Sequence, residues 1–149
     1  MKAAIREVQE RDLPLILPLY AQLGEDDGRI LPLAEARQIY RRLQAYPDYR
    51  LYLADLAGQA VGVLALLIMD HLGHLGAPVA VVEDLVVHQD YRRRGIGREL
   101  LLFAMAQARA KGCYKMALTS NKNRLGAHAF YERLGWRRHG YSFLVELQP

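Results

Sequence analysis

The chain has 149 residues, 52% of them hydrophobic and 24% charged, with a formal net charge of +4. That length suits one domain with a substantial core, and that mixture excludes a disordered or fibrous chain. A single cysteine, Cys113, excludes an intramolecular disulfide and a cysteine-rich zinc centre; no apolar run nears about 18 residues and no secretory core opens the chain, so a soluble cytoplasmic protein is expected.

Residues 3–9 alternate enough to predict a first strand, closed by the polar run Gln9-Glu10-Arg11-Asp12. Asp12 precedes an apolar helix over 13–23, with Pro14 tolerated in its first turn, and Gly24-Glu25-Asp26-Asp27-Gly28 breaks it. A second helix is predicted over 33–45, where Ala36, Ile39, Tyr40 and Leu43 share a face. Residues 50–57 alternate, Gly58-Gln59 turns, and the near-continuous apolar run 60–69 predicts a hairpin feeding a buried strand. Residues 70–78 read as loop and 79–87 as the fourth strand. A helix over 95–111, with Gly112 just past its end, crosses over to a fifth strand at 114–119, expected parallel to the fourth. A shorter helix over 125–134, ended by Gly135, and a final pair of strands within 136–147 complete the order. No repeat or linker interrupts it, so one α/β domain over 1–149 is expected, with a mixed sheet of about six to seven strands and about four helices.

Chemistry concentrates at the end of the fourth strand, where Glu83-Asp84 is followed by Arg92-Arg93-Arg94-Gly95-Ile96-Gly97-Arg98. A helix N-terminus leaves backbone N–H groups unpaired and carries about half a positive charge. Gly95 and Gly97 let those donors close on one anion, and Arg92, Arg93, Arg94 and Arg98 add charge of the same sense. A dinucleotide fold would want a glycine where Leu100 stands, and no Gly-Lys-Ser/Thr of a Walker loop occurs. An ordinary strand–turn–helix junction with a solvated basic tip is the plain alternative. Arginines gathered at one turn suit a compact polyanion better than an extended nucleic acid, so neither nucleic acid nor membrane is an expected partner.

The pattern Arg92-x-x-Gly95-x-Gly97 directly after a strand resembles the pyrophosphate loop of the GNAT superfamily of acetyl-CoA-dependent N-acetyltransferases. The order of elements and the run Ala127-His128-Ala129-Phe130-Tyr131-Glu132-Arg133-Leu134-Gly135-Trp136 extend that resemblance along essentially the whole chain. Glu83-Asp84-Leu85-Val86-Val87 and Gly112-Cys113-Tyr114-Lys115 look like glucosamine-6-phosphate N-acetyltransferases. Ala127-His128-Ala129-Phe130-Tyr131 looks like the aminoalkylphosphonate acetyltransferases. Neither likeness covers the acceptor-binding segments.

The resemblance implies acetyl-CoA as cosubstrate, a primary amine as acceptor, attack within a ternary complex, and no metal; a small molecule is the expected acceptor, because no added peptide-binding insert is recognisable in the chain. Alkylamines are mostly protonated at neutral pH, so a carboxylate must take that proton. Glu83 and Asp84 are the candidates; on a regular strand they face opposite ways, so only one meets the acceptor unless a bulge turns the pair. The resemblance favours Glu83, with Asp84 left open. It also implies that strands four and five splay, exposing main-chain groups of Leu85, Val86 and Val87 to the pantetheine arm, with N–H groups there polarising the thioester carbonyl. Arg92, Arg93, Arg94, Gly95, Ile96, Gly97 and Arg98 would hold the pyrophosphate, and Asn121 or Asn123 would touch the coenzyme. Tyr131 is the implied general acid for the thiolate. The plain alternatives are carboxylates bonded to loop backbone, asparagines capping a helix, and Tyr131 as a packing ring. The acceptor is expected between the first helices and the loop before strand four, including parts of 24–30 and 71–76. His71 and His74 beside Asp70 form only a weak metal pattern. A homodimer is the expected assembly. The rival readings are a non-catalytic acyl-CoA sensor, acetylation of a protein amine, and a basic nucleic-acid module.

Overall fold

Four strands lie side by side in chain order and antiparallel: β1 (Ala4–Glu7), β2 (Tyr49–Leu56), β3 (Gln59–Met69) and β4 (Val79–Val87). A fifth, β5 (Lys115–Ala117), pairs with β4 in parallel. A parallel pair needs a crossover, and α3 (Ile96–Ala110) supplies it. The computed structural model describes residues 2–148. They divide into two units, Met1–Ala117, which holds the sheet, and Leu118–Pro149.

β3 is the centre of the first unit, buried without a break from Ala60 to Leu66, as its near-continuous apolar sequence requires of a strand covered on both faces. Val63 joins Leu53, Val86 and Ala60 in a core shared with Leu13, Ile16, Leu17 and Leu19 of α1 (Leu13–Ala21) and Ala36 of α2 (Leu33–Leu43). The neighbouring residue Gly62 points to the opposite face. A Cβ there would lie 3.0 Å from Leu100 Cδ1 and 3.1 Å from Ile96 Cγ2, so glycine is what lets α3 settle on β3. Tyr52 and Phe103 meet edge-on at 5.0 Å on that side. Helices therefore cover both faces, and the first turn of α3 is pinned beside the end of β4.

The entry to α1 is tied down by charge. Asp12 is buried and accepts two bonds from the Arg6 guanidinium, each 2.8 Å, and one from the Gln9 backbone N–H at 2.7 Å. Arg6 Nε also donates to Asp55 at 3.2 Å. The Arg6 bonds hold the Asp12 carboxyl below its ordinary range, against the opposing pull of burial.

In the second unit, α4 (Leu125–Arg133) ends in a turn where the Gly135 N–H donates to Glu132 and the Trp136 N–H to Tyr131. Gly135 has φ 90°, the left-handed conformation that a helix end favours and glycine adopts freely. The expected strand pair in 136–147 is not formed, so the sheet of the described residues has five strands rather than six to seven. The reason lies in what a strand needs. Tyr141, Phe143, Val145 and Leu147 alternate as an apolar strand face, but they stand 77–93% exposed and form no strand pairing among the described residues. Elsewhere the observed elements begin or end within a few residues of the predicted ones, β5 being the most shortened.

Candidate active site

The β4–α3 junction is built by backbone conformation. β4 stays bonded to β3 to its end, where the His88 N–H donates to Val61 at 2.9 Å. A short 3₁₀ turn (Gln89–Tyr91) follows, with the Asp90 N–H donating to His88 Nδ1 at 3.1 Å. Arg93 at φ 61° and Gly95 at φ 82° are both left-handed, and that reversal turns the chain into α3 with Gly95 as its N-cap. No side chain caps this end, so its first N–H groups are left for water or a ligand. Arg92, Arg93, Arg94 and Arg98 are exposed around it, while Ile96 is buried. Arg92 Nε donates to the Val87 carbonyl at 3.1 Å, and the Arg94 guanidinium lies 5.1 Å from the centre of the Tyr91 ring. Two of the arginines are thereby steered by local contacts, with most of their donors free. An anion entering this turn meets positive charge and unpaired N–H groups together.

Upstream, β4 carries a bulge. Val63 pairs with Val86 and Ala65 with Glu83, so Asp84 and Leu85 together oppose one residue of β3, and Asp84 has φ 51°. The bulge breaks strict alternation, and Glu83 and Asp84 are both exposed. Both carboxyls are raised above their ordinary pKa, Glu83 by loss of solvation, then by Asp84 and Glu25, and Asp84 by loss of solvation, then by Asp26. On the other edge of β4, β5 pairs only with Val79, Ala80 and Val81, so residues 82–87 have no strand partner there among the described residues. Main-chain groups of that stretch, Leu85 included, are open to an extended ligand.

Two adjoining cavities open beside the bulge. One, of about 590 Å³, lies under residues 23–32, with Tyr20, Glu25, Asp26, Arg29 and Asp84 as its polar lining. The other, of about 180 Å³, is an apolar recess between α1 and α2, walled by Leu13, Ile16, Ile39 and Leu43. Leu17, Tyr20, Leu31 and Asp84 line both. Asp84, rather than Glu83, is thus the carboxylate in the walls. Burial first, then the Asp84 charge, pushes the Tyr20 hydroxyl up, so it stays protonated as a donor. The walls include Glu25, Asp26, Arg29 and Ile30 but no residue of 71–76. His74 instead stacks on Tyr114 at 4.2 Å, and no group of metal-ligating side chains forms among the described residues.

In the second unit, Asn121 Oδ1 accepts from the Asn123 N–H at 2.9 Å, and the Asn121 carbonyl is 2.8 Å from His128 Nε2. Asn121 thus organises the turn into α4, whereas the Asn123 side chain is exposed. Tyr131 is half-buried between Phe130 and Trp136, with ring centres 5.4 and 6.0 Å away. Burial raises its hydroxyl pKa, partly offset by Arg124.

The model of the acetyltransferase (GNAT) family matches residues 18–136, a span that takes in the bulge, the arginine–glycine turn and α4. The chain belongs to the GNAT acetyltransferase family. A glucosamine 6-phosphate N-acetyltransferase of Trypanosoma brucei brucei is 31% identical to this GNAT protein over 96% of the chain and 95% of that relative. An aminoalkylphosphonate N-acetyltransferase of Salmonella typhimurium is 35% identical over 66% of the chain and 62% of its own length. A putative acetyltransferase of Agrobacterium tumefaciens superposes with a TM-score of 0.90 at 30% identity, covering 96% of this chain and 99% of that one. This GNAT protein is therefore an acetyltransferase enzyme. Its cavity residues Tyr20 and Tyr49 escape sequence reasoning, because nothing in their spacing marks them as neighbours of Asp84. Glu25, Asp26, Arg29 and Ile30 fall within the stretch 24–30 named for the acceptor.

Proposed function

We propose that the enzyme carries the acetyl group of acetyl-CoA to the primary amine of a small molecule by direct attack in a ternary complex. The observation that supports this most is the bulge of β4. It keeps two carboxylates of raised pKa beside a cavity, on the strand that runs directly into the arginine–glycine turn. Asp84, lining both cavities, takes the proton of the incoming ammonium, with Glu83 beside it as the neighbouring acid. The freed nitrogen lone pair forms the new C–N bond at the thioester carbonyl, and the C–S bond breaks. Main-chain N–H groups of the 85–87 stretch on the edge away from β3 steady the developing oxyanion. Tyr131 gives its proton to the leaving thiolate; its raised pKa keeps that proton in place at neutral pH. The first N–H groups of α3, Arg92, Arg93, Arg94 and Arg98 hold the pyrophosphate, and Asn123 offers a further contact. No metal enters this scheme.

Both units belong to one functional domain in this reading, working in the cytoplasm where the thioester donor is available. A homodimer fits it as well, since the alternating face Tyr141, Phe143, Val145 and Leu147 is apolar and exposed. Calorimetric titration with coenzyme A tests the socket. Arg94→Gln should weaken binding by about 10- to 100-fold, the worth of about 1.5–3 kcal/mol for a hydrogen bond to a charged group. Equal binding by Arg94→Gln and the parent chain would remove that arginine from the site.

A further inference from the structure

The cavity beside Asp84 has a charge pattern at odds with phosphorylated acceptors of the kind named for the relatives above. Three carboxylates line it, Glu25, Asp26 and Asp84, against one guanidinium, Arg29. Arg29 is itself drawn to the acid-rich turn, its Nε donating to the Asp26 carbonyl at 3.1 Å. Glu83 adds a fourth carboxylate close enough to sense both Asp84 and Glu25. The adjoining recess has Asp84 as its one charged wall residue, the rest being aliphatic or aromatic. A phosphate or phosphonate carries more than one negative charge at neutral pH, and in these walls it would meet net charge of its own sign.

We infer that the acceptor is a di- or polyamine with an aliphatic spacer and no anionic group, its reacting amine at Asp84 and a second ammonium at Glu25 and Asp26. The inference rests on the acetyl-transfer reading for the role of Asp84, but the charge selection stands on the cavity alone. The same cavity is also lined by Leu17, Leu23, Ile30 and Leu31, a surface that methylene groups cover without leaving a polar group unpaired. The acids come from two elements, Asp84 from the β4 bulge and Glu25 and Asp26 from the turn after α1, and together they outnumber the one guanidinium, so a second ammonium on the ligand has carboxylates to meet.

The test is calorimetric binding to the full chain saturated with coenzyme A, using spermidine, n-heptylamine and glucosamine 6-phosphate, with thiol release from acetyl-CoA measured on the same three amines. Spermidine should bind at least tenfold more tightly than either other amine. The double variant Glu25→Gln, Asp26→Asn should shrink its advantage over heptylamine about tenfold; both positions are exposed, so folding tolerates the change. Tighter binding of glucosamine 6-phosphate, no advantage of spermidine over heptylamine, or an advantage untouched in the double variant would each overturn the inference. Spermidine preference without thiol release from any amine would keep the charge selection of the cavity and strike the transfer reading instead. Thiol release with glucosamine 6-phosphate alone would do the reverse.

Discussion

At φ 51°, Asp84 occupies a conformation that a non-glycine residue adopts only where the surroundings impose it. What imposes it is the bulge against β3, and the consequence is a carboxylate turned to two cavities instead of alternating with Glu83. Its raised pKa makes it a better proton acceptor from an ammonium than an ordinary aspartate, provided the pH is high enough to ionise it. The sign is then set. The rate constant kcat/KM should rise with pH through a value above the ordinary carboxylate pKa of about 4. Asp84→Asn should lower kcat/KM by about 10²–10⁴-fold, the usual worth of a general base, and abolish that limb. A pH–rate profile of both forms checks this; a limb unchanged in Asp84→Asn but lost in Glu83→Gln would pass the role to the neighbour. The two acids were legible in the sequence. Which one faces the cavity was not, because a bulge depends on how β3 pairs across from it rather than on local pattern.

Among the elements, α3 depends most on a single distant residue. Its first turn holds the proposed anion socket, and its seat on β3 is the absent side chain of Gly62. Gly62→Val would drive Cβ and its methyls into Leu100 and Ile96, two side chains already at 3.0–3.1 Å from the Cβ position. Overpacking of this kind costs about 1–3 kcal/mol, read as a lowered midpoint in urea unfolding. Coenzyme A affinity should fall with it, since the helix start shifts; an unchanged midpoint would show that α3 is not seated this way. The helix itself was readable from its apolar spacing and from Gly112, which ends it at φ 79°. β4 matched its predicted limits because apolar β-branched residues run on both sides of the acid pair within it. The tail misled, since alternation in Tyr141, Phe143, Val145 and Leu147 specifies a strand face but not the edge it pairs with.

For the molecule as a whole, acid stability draws on the ion pair between the buried Asp12 and the part-exposed Arg6. Asp12 has a folded pKa below its unfolded value, so its contribution is complete above about pH 4 and is lost as the pH falls through the folded value. Asp12→Ala should destabilise the chain by about 1–3 kcal/mol at neutral pH, with a smaller difference from the parent at pH 3. Thermal melts at the two pH values check this, and an equal loss at both would assign Asp12 a packing role only. Nothing in the local pattern around Arg6 announces this pair; the turn after β1 folds Asp12 back onto Arg6, and the pairing of β1 with β2 adds Asp55 to the same guanidinium. The order of elements, the arginine–glycine turn and the acid pair were all present in the chain. The cavity walls came only with the packing of α1 and α2 against the sheet.

The central claim is transfer itself, and thiol release under multiple turnover measures it most directly. Mixed with acetyl-CoA and a panel of primary amines, the enzyme should release free coenzyme A in proportion to acetylated amine. Tyr131→Phe, which keeps the ring but not the proton, should slow that release while coenzyme binding is largely retained. Release absent with every amine, despite tight binding of acetyl-CoA, would contradict the account and favour a sensor of acyl-CoA on the same fold.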